Sequence, residues 1–344
     1  MRILITGGAG LIGSHCAQYY AEKKAKVIIL DSLIRSKIFG SKKKTVEHTW
    51  NYLGKFKNIT RVKGDVRNSK DVLKAIGNGV DVVIHAAGQP GISPSINNPQ
   101  KDFAINAFGT LNVLECLKIK KNKPLFIYCS SNNVYGKNIS AQPIKKLKTR
   151  YDFKNIKGIN EKLPVDLSGH TPYGISKLSG EMYVQGYARL YGMKAAIFRI
   201  GCVYGPRQFG FVQQGWVSWF MLANLLGKKI TIFGDGKQVR DLLYVDNLIL
   251  AFDKFIQSKY EYRLYNIGGG VKNSVSLLEF IKLLEQETGR KPYISFGQDR
   301  ICDQKVYITD IKRIKQELNW FPETSVNVGL KNVHAWLKDN IKLF

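Results

Sequence analysis

Arg2-Ile3-Leu4-Ile5-Thr6-Gly7-Gly8-Ala9-Gly10-Leu11-Ile12-Gly13 opens the chain. A short apolar run rich in Ile and Leu reads as a buried strand, and glycines in the spacing GxxGxxG follow it directly. Residues 11–23 then carry a helical pattern. Strand, glycine turn and helix in that order form a seat for a dinucleotide pyrophosphate. Gly7 permits the tight turn, Gly10 lets the backbone approach the phosphates, and Gly13 lets the helix pack closely. The helix N-terminus, with unpaired N–H groups, faces the negative charge. Gly7, Gly10, Leu11, Ile12 and Gly13 are the first expected cofactor-binding residues.

Outward from this stretch the alternation repeats. Residues 26–31 form a second apolar run ending in Asp31, 18 residues after Gly13. A carboxylate there accepts hydrogen bonds from both adenosine ribose hydroxyls and repels a 2′-phosphate, so NAD is expected rather than NADP. Asp65 and Val66 follow a third run at 59–64; Asp65 is expected at the adenine, or else as the cap of a helix over 69–78. Further apolar runs lie at 81–86, 124–130 and 195–200, with helical stretches at 98–118 and 173–192. Continuous apolar strands separated by helices predict an α/β fold with a doubly wound parallel sheet of Rossmann type. Residues 1–200 are assigned to this nucleotide-binding domain, with 238–262 threaded back into it. Residues 201–237 and 263–344, with helical patterns at 275–288 and 324–343, are assigned to a smaller mixed α/β substrate lobe. The stretches 33–57 and 137–170 fall outside the rhythm as long insertions.

Composition narrows the function. No apolar run approaches the roughly 18 residues of a membrane span, so no membrane insertion is expected. The chain starts at once on a strand with no signal-peptide layout, so a cytoplasmic location is expected. Five cysteines without a CxxC pair argue against a disulfide framework and against a metal site. There are 53 Lys and Arg against 26 Asp and Glu, a formal charge of +27. The lysines are scattered, apart from runs at 41–44 and 145–148, and no nucleic-acid module accompanies them. Nucleic acid is not an expected partner; such a surface steers an anionic small substrate.

Tyr173-Gly174-Ile175-Ser176-Lys177 places a phenol and an amine at i and i+4, on one helix face. Upstream, Cys129-Ser130-Ser131 ends an apolar run. Ser131, Tyr173 and Lys177 are the expected catalytic residues. The Lys177 ammonium lowers the phenol pKa of Tyr173, Tyr173 acts as general base on a substrate hydroxyl, and Ser131 orients the same oxygen.

With Gly7 to Gly13, Asp31, Tyr173, Lys177 and Ser131 go His85-Ala86-Ala87-Gly88, Asn106 in the segment 106–110, and the stretch Gly234 to Asp241. Together these resemble the extended short-chain dehydrogenases acting on nucleotide sugars, over nearly the whole chain. The resemblance implies bound NAD, a nucleotide-sugar substrate, and further cofactor contacts from Ala87, Gln89, Asn106 and Ser130. It also implies a homodimer or homotetramer, the dimer joined through helices near 98–118 and 173–192.

Several stretches are similar to one branch, the CDP-tyvelose (CDP-paratose) 2-epimerases: 87–89, 95–99, 130–136, 170–174, 207–209, 214–220 and 303–314, with the insertion at 137–170. This similarity implies substrate contacts from Gln89, Asn132, Asn133, Arg207, Gln214, Trp216, Arg240 and Arg300, with Trp219 beside them. It favours a CDP-sugar epimerised at C2 through a 2-keto intermediate. A UDP-hexose 4-epimerase is the alternative; a non-catalytic NAD- or nucleic-acid-binding protein is a remote one. Sugar 4,6-dehydratases carry Asp-Glu after the catalytic Ser or Thr, where this chain has Asn132 and Asn133, and an amide cannot supply that acid–base step. Cys202 stands where UDP-hexose epimerases usually carry Asn, which argues against their substrate geometry. No base lies near Cys202 in sequence to make it a nucleophile.

Overall fold

Seven strands pair in parallel through the middle of the protein: β1 (Arg2–Thr6), β2 (Lys26–Asp31), β3 (Ile59–Lys63), β4 (Val82–His85), β5 (Leu125–Ser131), β8 (Ala195–Ile200) and β12 (Tyr262–Ile267). Their order is β12-β8-β5-β4-β1-β2-β3. The register sets Ile3 to Thr6 of β1 against Val27 to Leu30 on one side and against Val82 to His85 on the other. The strands read as unbroken apolar runs because helices cover both faces. On one face, Cys16 and Tyr20 of helix Leu11–Glu22 join Leu248 and Phe252 of helix Val245–Ile256. On the other, Val72, Val113, Leu117 and Val184 come from helices Ser69–Ile76, Gly109–Ile119 and Pro172–Tyr191. The computed structural model describes residues 1–35, 43–300 and 302–344, so part of the basic run at 41–44 lies outside the described residues.

The strand order reverses between β1 and β4, and at such a switch the loops after the strands part to leave a crevice. The second lobe closes it. Its four-stranded sheet joins β9 (Cys202–Tyr204), β11 (Val239–Tyr244), β13 (Ser274–Ser276) and β15 (Val306–Tyr307). A two-stranded sheet pairs β10 (Ile230–Phe233) with β14 (Ile294–Gly297). Helices Trp216–Leu225, Leu277–Thr288 and Val326–Asp339 pack around a separate core containing Phe220, Phe280 and Leu330. Within the insertion at 137–170 a small antiparallel pair forms, β6 (Ile144–Lys146) with β7 (Tyr151–Phe153).

Three expectations need amendment. The segment that returns to the first lobe is not 238–262: Val239–Tyr244 stays in the four-stranded sheet, while Val245–Ile256 and Tyr262–Ile267 cover and extend the main sheet. The helix expected over 98–118 is interrupted; Pro99–Phe103 and Gly109–Ile119 flank a π-helical turn at Ala104–Phe108. The stretch 33–57 holds a helix, Lys43–Leu53. No helix among the described residues is long and apolar enough to cross a membrane.

Candidate active site

The glycines form a cradle that side chains would fill. Gly7 has φ +71°, and a Cβ there would lie 2.7 Å from the Ala87 nitrogen. A Cβ on Gly13 would stand 2.1 Å from the Gly7 carbonyl oxygen, so the helix touches the loop through bare backbone. Gly10 is the N-cap of helix Leu11–Glu22 and has no side chain to cap it, which leaves the first-turn N–H groups for an anion. Gly7, Gly10, Leu11, Ile12 and Gly13 all line a cavity of about 840 Å³ that also receives Asp31, Asp65, Val66 and Ala87. That cradle and the acid at the end of β2 fit an NAD molecule.

Asp31 holds the cradle as well as facing the cavity. Its Oδ2 accepts from the Ala9 N–H at 2.9 Å and its Oδ1 from the Leu33 N–H at 2.7 Å. Arg35, the nearby cation that could meet a 2′-phosphate, is engaged elsewhere: its Nη2 donates to the Phe209 carbonyl and to Gln214 Oε1, both at 2.9 Å. Asp65 does not cap the following helix; Asn68 does, accepting from the Lys70 N–H. Asp65 is instead forked by Arg67, with Nε–Oδ1 at 2.9 Å and Nη2–Oδ2 at 2.6 Å. Burial would raise its pKa, but Arg67 outweighs that and holds it below the usual carboxylate range.

Tyr173 and Lys177 are placed by the start of their helix. Thr171 caps it, its Oγ1 accepting from the Gly174 N–H at 3.2 Å, and Pro172 occupies the first turn. Tyr173 therefore sits at the very start and Lys177 one turn later, and both point into the cavity beside Ser131, the last residue of β5. Ser131 lies near enough to the phenol to favour its ionised form. Its Oγ accepts from the Asn133 backbone N–H at 3.2 Å and from Asn133 Nδ2 at 3.1 Å. Burial pushes the phenol up to about 12; Ser131 opposes this and nearby Asp102 adds to it. Burial also brings the Lys177 amine down to about 8. The chain by itself holds a neutral phenol, a proton donor and acceptor matched to a hydroxyl, not a phenolate.

Three residues expected to touch cofactor have their side chains engaged within the protein. Asn106 lies within the π turn and does not line the cavity; its Oδ1 accepts from the Gln89 N–H at 2.8 Å and its Nδ2 donates to Gln89 O, Asp102 Oδ1 and Ser176 Oγ, each at 3.1 Å. Ser130 borders the cavity, but its hydroxyl donates to buried Glu181. The Gln89 amide is likewise pinned, donating to Gly91 O at 2.8 Å and Asp102 Oδ1 at 2.9 Å. Asp102 and Glu181 were missed by the sequence reading. Each had a signal: Asp102 is four residues before Asn106, and Glu181 is four residues after Lys177, so both are acids on the helix faces that carry the motifs.

The second lobe supplies the opposite wall. Gln214 and Trp216 line it, Trp216 resting edge-on against Phe280 with centroids 4.7 Å apart. Trp219 packs into the lobe core and is not a lining residue. Asn132 Nδ2 donates to Gln304 Oε1 at 3.3 Å, so Gln304 joins the site across the lobes. Arg240 and Arg300 reach the same wall. Arg240 donates to the Gln304 carbonyl at 2.7 Å and to Asp303 Oδ1 at 2.5 Å; Arg300 donates to the Val212 carbonyl at 2.6 Å and covers the Phe233 ring. Arg207 stands apart from them, with φ +60° and its Nε donating to Ser14 Oγ at 3.2 Å, against the nucleotide helix. Cys202 lines the cavity with its thiol pushed up to about 12 by burial, which removes it as a thiolate nucleophile at neutral pH. Among the described residues no group of His, Cys, Asp and Glu could hold a metal ion.

A family model described as the NAD dependent epimerase/dehydratase family matches residues 3–268. A protein from Salmonella typhi named CDP-paratose 2-epimerase is 36% identical, over 98% of this chain and 99% of its own length. A putative UDP-glucose 4-epimerase of Methanocaldococcus jannaschii is 33% identical, over 98% and 99%. Among solved structures, a Bacillus cereus UDP-glucuronic acid 4-epimerase variant in complex with a fluorinated UDP-sugar and NAD superposes with TM-score 0.84 at 28% identity, covering 99% of this chain and all of that one.

Proposed function

The chain belongs to the NAD dependent epimerase/dehydratase family, and from that premise we propose that it is a CDP-sugar 2-epimerase interconverting CDP-paratose and CDP-tyvelose. At the coarser level it is an isomerase that binds NAD and epimerises a nucleotide-linked sugar. The observation that carries the finer reading is the cavity wall: Asn132 and Asn133 follow Ser131, Gln89 follows the Ala86–Gly88 loop, and Cys202 faces the sugar region. The same reading is supported by the overall 36% identity to the Salmonella typhi protein.

In this mechanism Tyr173 accepts the proton of the sugar O2 and later returns it, while Ser131 holds that oxygen. Asn133 fixes the Ser131 hydroxyl. Lys177 keeps a positive charge below the phenol, which favours the deprotonated form as it develops. NAD, when bound on the glycine cradle, supplies a reversible hydride acceptor at C2, so a 2-keto sugar stands between substrate and product. Arg240 and Arg300 flank the place of the nucleotide diphosphate, where a guanidinium fork suits phosphate oxygens. No net redox change follows, and no external cofactor is consumed. A second copy is the expected partner, forming at least a homodimer. Helices Pro172–Tyr191 and Gly109–Ile119 with the turns before it expose Phe103, Phe108, Met182 and Leu190, a patch that solvent disfavours.

The test is proton NMR on protein purified without added NAD, with CDP-paratose, CDP-glucose and UDP-glucose in parallel. A C2 epimer from a CDP-sugar, with UDP-glucose unchanged, supports the reading. A UDP-galactose signal overturns it in favour of a 4-epimerase, the activity named for the Methanocaldococcus jannaschii relative.

A further inference from the structure

Beneath the catalytic residues lies a buried carboxylate that the mechanism above does not use. Asp102, on helix Pro99–Phe103, is 1% exposed. Its Oδ2 accepts from Ser176 Oγ at 2.5 Å; its Oδ1 accepts from Gln89 Nε2 at 2.9 Å and from Asn106 Nδ2 at 3.1 Å. All three donors are neutral. Ser176 is the residue before Lys177, and Gln89 follows Gly88, where a Cβ would meet both Asn106 Oδ1 at 3.1 Å and Lys177 Nζ at 3.8 Å. The carboxylate and the amine thus hang on the same two segments; burial is the largest influence on each, Lys177 opposes the rise it forces on Asp102, and Asp102, after Cys129 and Glu181, opposes the fall it forces on Lys177.

The other acid near Lys177 is already paired. Glu181 is fully buried and is forked by Arg199, with Nε–Oε1 at 3.0 Å and Nη2–Oε2 at 2.7 Å, and it also takes the Ser130 hydroxyl proton. Its negative charge is balanced by the Arg199 guanidinium. The remaining titratable groups facing Lys177 are Tyr173 on its own helix, Tyr128 and Cys129 on β5, and His85 on β4. The His85 imidazole is driven down to about 3 by burial and the neighbouring ammonium, and so stays neutral. Burial raises the Tyr128 and Cys129 groups, which therefore stay protonated. Facing Asp102 are Lys177 and Tyr173, and Lys101 borders with it a second cavity of about 310 Å³. A buried ammonium without a counter-charge sheds its proton.

We propose that Asp102 is the counter-charge that keeps Lys177 protonated, a positioning residue that acts on the reaction only through that ammonium. Burial raises the Asp102 pKa, and the Ser176 hydrogen bond, the Lys177 charge and the Gln89 hydrogen bond oppose that rise, while Asn106 fixes the carboxylate in place. Gln89 and Asn106 thereby gain a role the sequence reading had given to ligand contact. The proposal rests on Lys177 serving the epimerase reaction described above, but the state of Lys177 can be read without any turnover.

The test is a pH titration of the Lys177 side chain by NMR in protein carrying 13C-labelled lysine, as purified with its cofactor. The resonance is assigned by its loss in Lys177→Met. In Asp102→Asn the midpoint is expected to fall by about one pH unit, the scale of losing one nearby opposite charge; in Asp102→Glu it stays near the wild-type value. The alkaline limb of kcat/KM moves down by the same amount. If Asp102→Asn does not fold, Asp102→Ser, which leaves room for a water, is read in the same way. An unchanged Lys177 midpoint, with activity lowered equally at every pH, overturns the proposal and leaves Asp102 a packing residue. A shifted midpoint in a protein that turns over no nucleotide sugar upholds the Asp102 role and overturns the epimerase reading instead.

Discussion

Tyr173 is the residue proposed to carry the proton transfer, and replacing it by Phe removes only the hydroxyl and keeps the buried ring. Its backbone N–H donates to Ser95 Oγ at 3.1 Å, and the phenol meets Ser131. Tyr173→Phe is expected to lower kcat by roughly 10²–10⁴-fold, the range for losing a general acid–base group. NAD should stay bound, measured by its release on denaturation; loss of NAD together with activity would make Tyr173 a cofactor anchor instead. Lys177 sets a pH dependence. Burial brings its pKa down to about 8, so the ammonium is present below that pH and is lost as pH rises through it. The expected kcat/KM profile falls above about pH 8 for that reason. A profile flat well above this point would remove the Lys177 charge from the mechanism.

At the scale of elements, helix Pro172–Tyr191 is the part on which the site depends most. It is started by Thr171 and Pro172 and ended by Gly192 in a left-handed conformation, with φ +64°. Its buried side carries Glu181 to Arg199 on β8, an ion pair with side-chain exposures of 4% for Arg199 and 0% for Glu181. Arg199 also lies 4.8 Å from the Tyr135 ring centroid. Glu181→Gln leaves a guanidinium buried without its partner and is expected to cost about 3–5 kcal/mol, read from denaturant unfolding. A loss under about 1 kcal/mol would mean that water replaces the carboxylate. The π turn at Ala104–Phe108 is the second such element. It turns Asn106 inward, and the Asn106 carbonyl takes the Thr110 hydroxyl at 2.6 Å, so the interruption in the helix is held by its own side chains.

At the scale of the whole molecule, the proposed dimer is tested on exposed apolar side chains. Leu190 is 76% exposed on helix Pro172–Tyr191, whose other face packs on the main sheet, and Phe103 is 56% exposed on helix Pro99–Phe103, which packs on that helix. Met182→Glu, with the charge placed among those side chains, is expected to turn a dimer into a monomer in sedimentation velocity while NAD remains bound. A monomeric parent protein would refute the dimer directly. Arg35 ties the lobes together through Phe209 and Gln214, so the loop that bears Gln214 is anchored to the nucleotide-binding side. The linear sequence alone determined the glycine cradle, Asp31, the parallel sheet and the Ser131, Tyr173 and Lys177 set. Each depends on short-range rules: a turn that only glycine fits, an acid at a strand end, two side chains one helical turn apart. Only the tertiary structure decided which charges meet. Asp102 stands 74 residues from its Ser176 partner and Glu181 18 residues from Arg199, while Arg207 meets Ser14 from 193 residues away. Those partners, and with them the protonation of Lys177 and the turning of Asn106 away from the cavity, depend on which buried groups lack water and must find each other, and no spacing along the chain records that.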